Sequence, residues 1–114
     1  MLAARYRMKN PQDFDLVRRK GDHYSGDMIV IGVYDRGDGE SSRFGFVVSQ
    51  KVSKLASVRN KVKRALREAV RQQTNYFKTG LDIVIVAFPE TARAYTDEIM
   101  KDIELTFRKA GILK

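Results

Sequence analysis

The run Asp82-Ile83-Val84-Ile85-Val86-Ala87 limits what this chain can fold into more than any other feature. It is apolar at both odd and even positions, so as a strand it needs cover on both faces, which predicts a central place in a sheet. Met28 to Tyr34, β-branched and apolar, and Arg43 to Ser49 read as two further strands, with Asp35 to Glu40 as the turn between them. In Arg43 to Ser49, Phe44, Phe46 and Val48 point to one face and Arg43, Gly45, Val47 and Ser49 to the other. The second face carries little bulk, as an open binding floor would.

Helical patterns surround these strands. Asn10-Pro11-Gln12-Asp13 predicts a helix start, with Asn10 as cap, Pro11 in the first position and Gly21 as the stop. Phe14 and Val17 share a face of that helix, and Arg18, Arg19 and Lys20 crowd its C-terminal end. A last helix, capped by Thr96 and ended by Gly111, aligns Ile99, Ile103 and Phe107. Over 114 residues without a compositional break, one domain spanning 1–114 is expected, and a 43% hydrophobic content suffices for its core.

Between the second and third strands, Ser57 to Arg71 predicts a helix capped by Ser57. Val58, Val62, Ala65, Leu66 and Ala69 form its apolar stripe, and Arg59, Lys63, Arg67 and Arg71 form a ladder opposite, widened by Lys61 and Arg64. Six cations face the single acid Glu68, so this helix holds a net +5 of the chain's +8. Like charges at this spacing cost a helix about 0.2–0.5 kcal/mol per pair, a penalty that a bound polyanion removes. An ordinary solvated face mixes signs. The stripe lacks Trp and Phe, which fits packing on a sheet better than immersion in lipid. Nucleic acid is therefore the expected partner.

The segment Arg59-Asn60-Lys61-Val62-Lys63-Arg64-Ala65-Leu66-Arg67-Glu68 closely resembles the Arg-Asn-Arg helix motif of bacterial ribonuclease P proteins. Arg59, Asn60, Lys63, Arg64 and Arg67 match it, whereas the position of Lys61 is commonly Arg. The resemblance extends through Asp13-Phe14, Val17 and Gly21, through Arg43-Phe44-Gly45-Phe46-Val47-Val48-Ser49, and through Asp82 to Ala87, in the same order and spacing. The loop before Arg59 departs from the pattern by one extra residue and by Ser53 in place of the usual Gly. Phe88 stands where Arg is expected, and Gly32 where some members carry Tyr.

The resemblance implies an α+β fold: a two-layer α/β sandwich whose twisted four-stranded mixed sheet carries three helices, with the basic helix in a left-handed βαβ crossover. General connection rules favour the opposite hand. Three strands are legible in the residues; the fourth is expected as an extension or split of those. The resemblance also implies that Lys51, Lys54, Arg59, Asn60, Lys61, Lys63, Arg64, Arg67 and Arg71 bind the RNA subunit. A cleft between the first helix and the sheet would hold the 5′ leader of precursor tRNA. Its candidate residues are Phe14, which is either a stacking ring or a core ring, together with Val17, Arg18, Tyr24, Val30, Val47 and Val84. Asn60 pairs with RNA or fixes the loop.

Catalysis is expected to reside in the RNA subunit, with Mg²⁺ bound there and neither a catalytic residue nor a metal site on the protein. The two-histidine acid–base arrangement is impossible with His23 alone, which is read as a loop residue without a chemical role. Ribonuclease P RNA and precursor tRNA are the expected partners, with no obligate protein partner and no membrane. The absence of cysteine, of an apolar signal run and of a transmembrane stretch fits the cytoplasm. A ribosomal or RNA-chaperone protein is the alternative function. A stand-alone nuclease ranks lower, because no segment shows a dense carboxylate constellation, and so does a major-groove DNA reader, because the ladder lacks mixed Asn, Gln and Ser base readers.

Overall fold

In the computed structural model, which describes residues 2–114, the chain runs α1 (Pro11–Lys20), β1 (Asp22–Ser25), β2 (Ile29–Asp35), β3 (Arg43–Val47), α2 (Ala56–Gln72), β4 (Leu81–Ala87) and α3 (Thr96–Ala110). A short 3₁₀ turn, Pro89–Arg93, leads into α3. The sheet order is β1-β2-β4-β3, with β4 antiparallel to β2 and parallel to β3. The doubly apolar run is thus an inner strand, as its pattern requires. α2 makes the crossover between the parallel neighbours β3 and β4, and the fold is α+β with three helices on a four-stranded mixed sheet.

The fourth strand is neither an extension nor a split of the other three. It is Asp22–Ser25, a hairpin partner that pairs Asp22 with Val33 and Ser25 with Val30. Its four mostly polar residues carry no period of their own, and His23 is consequently a strand residue. β1 is held from across the molecule. The buried Asp102 carboxylate of α3 accepts hydrogen bonds from the amides of Asp27 and Met28, both at 2.9 Å. A Cβ on Gly26 would fall 2.7 Å from that carboxylate, so glycine is needed for the turn to come this close.

One sheet face supports the main core. Ile29, Ile31, Phe44, Ile83 and Ile85 meet Val62 and Leu66 of α2 and Ile99, Ile103 and Phe107 of α3. Phe77 bridges the two sides, 4.7 Å from Phe44 and edge-on to Phe107 at 5.1 Å between ring centres. The apolar stripe of α2 is buried from Val62 onward and includes Val70, while Val58 is only half-buried. Across the opposite face lies α1, forming a smaller cluster of Met8, Val17 and Val84 with Phe14, Tyr34, Val47 and Val86.

The helix ends differ from expectation. Asn10 and Ser57 make no capping hydrogen bond, and α2 begins one residue before Ser57 with Leu55 in the capping position. Thr96 is the first residue of α3, whose start is held by Glu98 accepting from the Tyr95 amide at 2.8 Å. Gly111 ends α3 in the left-handed region at φ 68°. Gly21 ends α1 in extended conformation, so its role is one of space: a Cβ there would fall 2.5 Å from the Val17 carbonyl oxygen and 2.8 Å from that of Val33.

Candidate nucleic-acid interface

The expected ladder on α2 divides into held and free cations. Arg59 folds back over its own loop, donating from Nη1 to the carbonyls of Ser53 at 2.9 Å and Lys54 at 3.0 Å. The Ser53 hydroxyl accepts from the Leu55 amide at 3.1 Å, so this serine shapes the same loop. Lys61 donates to the Ala94 carbonyl at 3.2 Å and ties α2 to the start of α3. Arg71 pairs with Glu68, which raises the guanidinium's pKa and lowers the carboxyl's.

Lys63, Arg64 and Arg67, with exposed Asn60 and the loop residues Lys51 and Lys54, remain unpaired among the described residues. They run from the loop before α2 to past its midpoint, and the uncapped amides at its N-terminus add positive potential. A concavity of about 610 Å³ lies alongside, lined by Arg64, Arg67 and Arg71 with Leu2 and Thr96.

The other candidate surface lies on the sheet face that carries α1. Sheet register aligns His23, Gly32, Val84 and Gly45 in one row across all four strands, and Val30, Val86 and Val47 in the next. α1 rests on the two glycines of the first row. A Cβ on Gly45 would fall 2.3 Å from Phe14 Cε1, and one on Gly32 would fall 2.9 Å from Val17 Cγ1. Hence the lean face of β3 seats a helix as well as providing a floor.

Beside α1 the second row stays open as a cavity of about 400 Å³, with Phe14, Arg18 and His23 on its walls. Phe14 is half-buried and Val17 fully buried, so Phe14 is both a packing ring and a wall. Arg18 donates to Asp15 at 2.6 Å, Arg19 to the same carboxylate at 2.8 Å, and these bonds lower the Asp15 pKa.

Six of the seven cleft candidates therefore line one cavity: Phe14, Val17, Arg18, Val30, Val47 and Val84. Tyr24 does not. It pairs across from buried Ile31 and turns toward the face that carries α2 and α3, so His23 takes the cleft side of β1. Without β1 in view, alternation had no anchor from which to assign Tyr24 a face. Val86, Gly32 and Asp15 also line the cleft. Two-residue alternation from Val84 was signal enough for Val86, whereas Gly32 and Asp15 required the docking position of α1.

Neighbouring this floor is a buried ionic cluster that sequence reading missed. Asp82, 1% exposed, accepts two hydrogen bonds from Arg43, at 2.9 and 2.7 Å, and another from Arg36. Arg43 also reaches Asp13 of α1 at 3.3 Å. The Asp82 hydrogen bond is the main cause raising the pKa of Arg43, whereas that of Arg36 is raised chiefly by Asp38. The cluster fixes the first turn of α1 to the sheet beneath.

The family model described as Ribonuclease P matches residues 2–111. The ribonuclease P protein component of Synechocystis sp. is 35% identical over 107 residues, covering 94% of this chain and 86% of its own length. That of Pseudarthrobacter chlorophenolicus is 39% identical over 104 residues, covering 91% and 76%. Among solved structures, Staphylococcus aureus RNase P protein superposes with a TM-score of 0.88 at 27% identity, covering 96% of this chain and 98% of that one. Thermotoga maritima RNase P protein, in complex with 1-(4-fluorophenyl)-2-thiourea, gives 0.78 at 27% identity, covering 90% and 98%.

Proposed function

The chain belongs to the ribonuclease P protein family, and from that membership we propose how its two surfaces share the work of the holoenzyme. It is a protein component of ribonuclease P, an endoribonuclease of tRNA processing, and associates with ribonuclease P RNA and the tRNA substrate. The relatives described above are ribonuclease P components, not ribosomal or chaperone-type proteins.

In our reading, Lys51, Lys54, Asn60, Lys63, Arg64 and Arg67 receive phosphates of the RNA subunit, while Arg59, Lys61 and Arg71 hold the presenting helix in shape. The groove beside α1 takes the unpaired 5′ leader, with Phe14 stacking on a base and Arg18 exchanging Asp15 for a phosphate. Catalytic Mg²⁺ is assigned to the RNA subunit, and the protein supplies substrate affinity and tolerance of low magnesium. Among the described residues no helix is long and apolar enough to cross a membrane, and the reading places the protein in the cytoplasm.

The carrying observation is the segregation of unpaired cations on the outside of α2 from an apolar-floored groove on the other sheet face. The test is 5′-end cleavage of labelled precursor tRNA at low magnesium with protein alone, bacterial ribonuclease P RNA alone, and both. Cleavage at the mature 5′ end dependent on both supports the reading. Cleavage by protein alone overturns it, as does tight RNA binding without stimulation.

A further inference from the structure

The polar side chains at the leader cleft are not equivalent. Asp15 and Arg18 satisfy one another at 2.6 Å on the α1 rim. His23, on the β1 wall, is exposed and has neither ring nitrogen engaged among the described residues. It pairs across from Gly32, and its Cδ2 and Nε2 lie 3.4 Å from where a Gly32 Cβ would stand. The missing side chain at Gly32 leaves the imidazole edge facing the groove. An imidazole offers hydrogen bonding at two ring positions, which is what reading a nucleobase edge requires.

Its location separates it from Phe14. Phe14 sits over Gly45 on β3 and His23 lies beyond Gly32 toward β1, with β4 between. Two strand spacings put those glycines roughly 10 Å apart, too far for both rings to clamp one base and suited to different nucleotides of an extended strand. The floor between them, Val30, Val86 and Val47, has no hydrogen-bonding side chain.

We propose that His23 is a specificity-determining residue of the leader cleft, hydrogen-bonding the edge of one unpaired leader base at the β1 end while Phe14 stacks on another. This rests on the leader reading given above. The test is equilibrium binding of the reconstituted holoenzyme to leaderless tRNA and to precursor tRNAs whose leader bases are replaced one at a time, with wild-type, His23→Ala and His23→Phe proteins.

Wild type is expected to favour one base at one leader position. Both variants should lose that preference, His23→Phe keeping most of the leader affinity and His23→Ala losing roughly tenfold, the scale of one base contact, with leaderless tRNA unaffected. A wild-type base profile in either variant overturns the assignment of His23, as does a wild type with no base preference. If wild-type holoenzyme binds leader-bearing and leaderless tRNA equally, the leader reading itself fails. Wild-type melting of His23→Phe keeps the comparison sound should His23→Ala disturb β1.

Discussion

Phe14 rests on Gly45 so closely that one added methyl group meets its ring edge. The ring is half-buried and has solvent to move into, so Gly45→Ala is expected to cost about 1 kcal/mol of stability and to displace the ring from the cleft wall. Leader-dependent affinity should fall while leaderless tRNA binds as before, which urea unfolding and substrate titration would show. At Gly32 the obstructing atom belongs to fully buried Val17. Gly32→Ala should therefore act on stability first, by about 2–3 kcal/mol. A similar division separates two arginines of α2. Arg64→Ala should weaken binding of the RNA subunit and lower its log-log salt slope by about 1 without changing the melting temperature. Arg59→Ala should weaken the same binding with the salt slope little changed and lower the melting temperature, because it frees the Ser53–Lys54 loop without removing a phosphate contact.

At the level of elements, β4 combines two demands: its run from Ile83 to Ile85 is buried, and its Asp82 is a buried carboxylate that accepts from two arginines. Asp82→Asn removes the charge but leaves both guanidiniums, so chemical denaturation should show a loss of about 3 kcal/mol, and α1 should loosen through Arg43 and Asp13. Elements with strong periodicity were legible in sequence: β2, β3, β4 and the three helices all lie within a few residues of their patterns. β1 was not, because Asp22-His23-Tyr24-Ser25 is a strand only through its partner, the turn at Gly26 and the Asp102 latch, all supplied by tertiary structure. The cleft walls contributed by α1 were legible from Phe14, Val17 and Arg18. What each cation of α2 touches was not, since Ser53, Lys54 and Ala94 offer backbone carbonyls that no residue type announces.

On the scale of the molecule, the two surfaces differ in the physics of attraction. The α2 face presents unpaired cations, whereas the cleft is floored by valines and its rim arginine is already paired. Affinity for the RNA subunit should therefore fall steeply with salt, while the ratio of leader-bearing to leaderless affinity changes little; parallel titrations across a salt series would show this. The hairpin of β1 and β2 carries a last consequence. Side chains along β1 alternate, so whether a position faces the groove or the core depends only on whether its count from the turn is odd or even. A one-residue change in the length of the Gly26–Met28 turn would exchange the outlooks of His23 and Tyr24 with no substitution at either. The turn is thus a parity bit for the groove, and Asp102, from a helix on the far side of the sheet, keeps it from flipping.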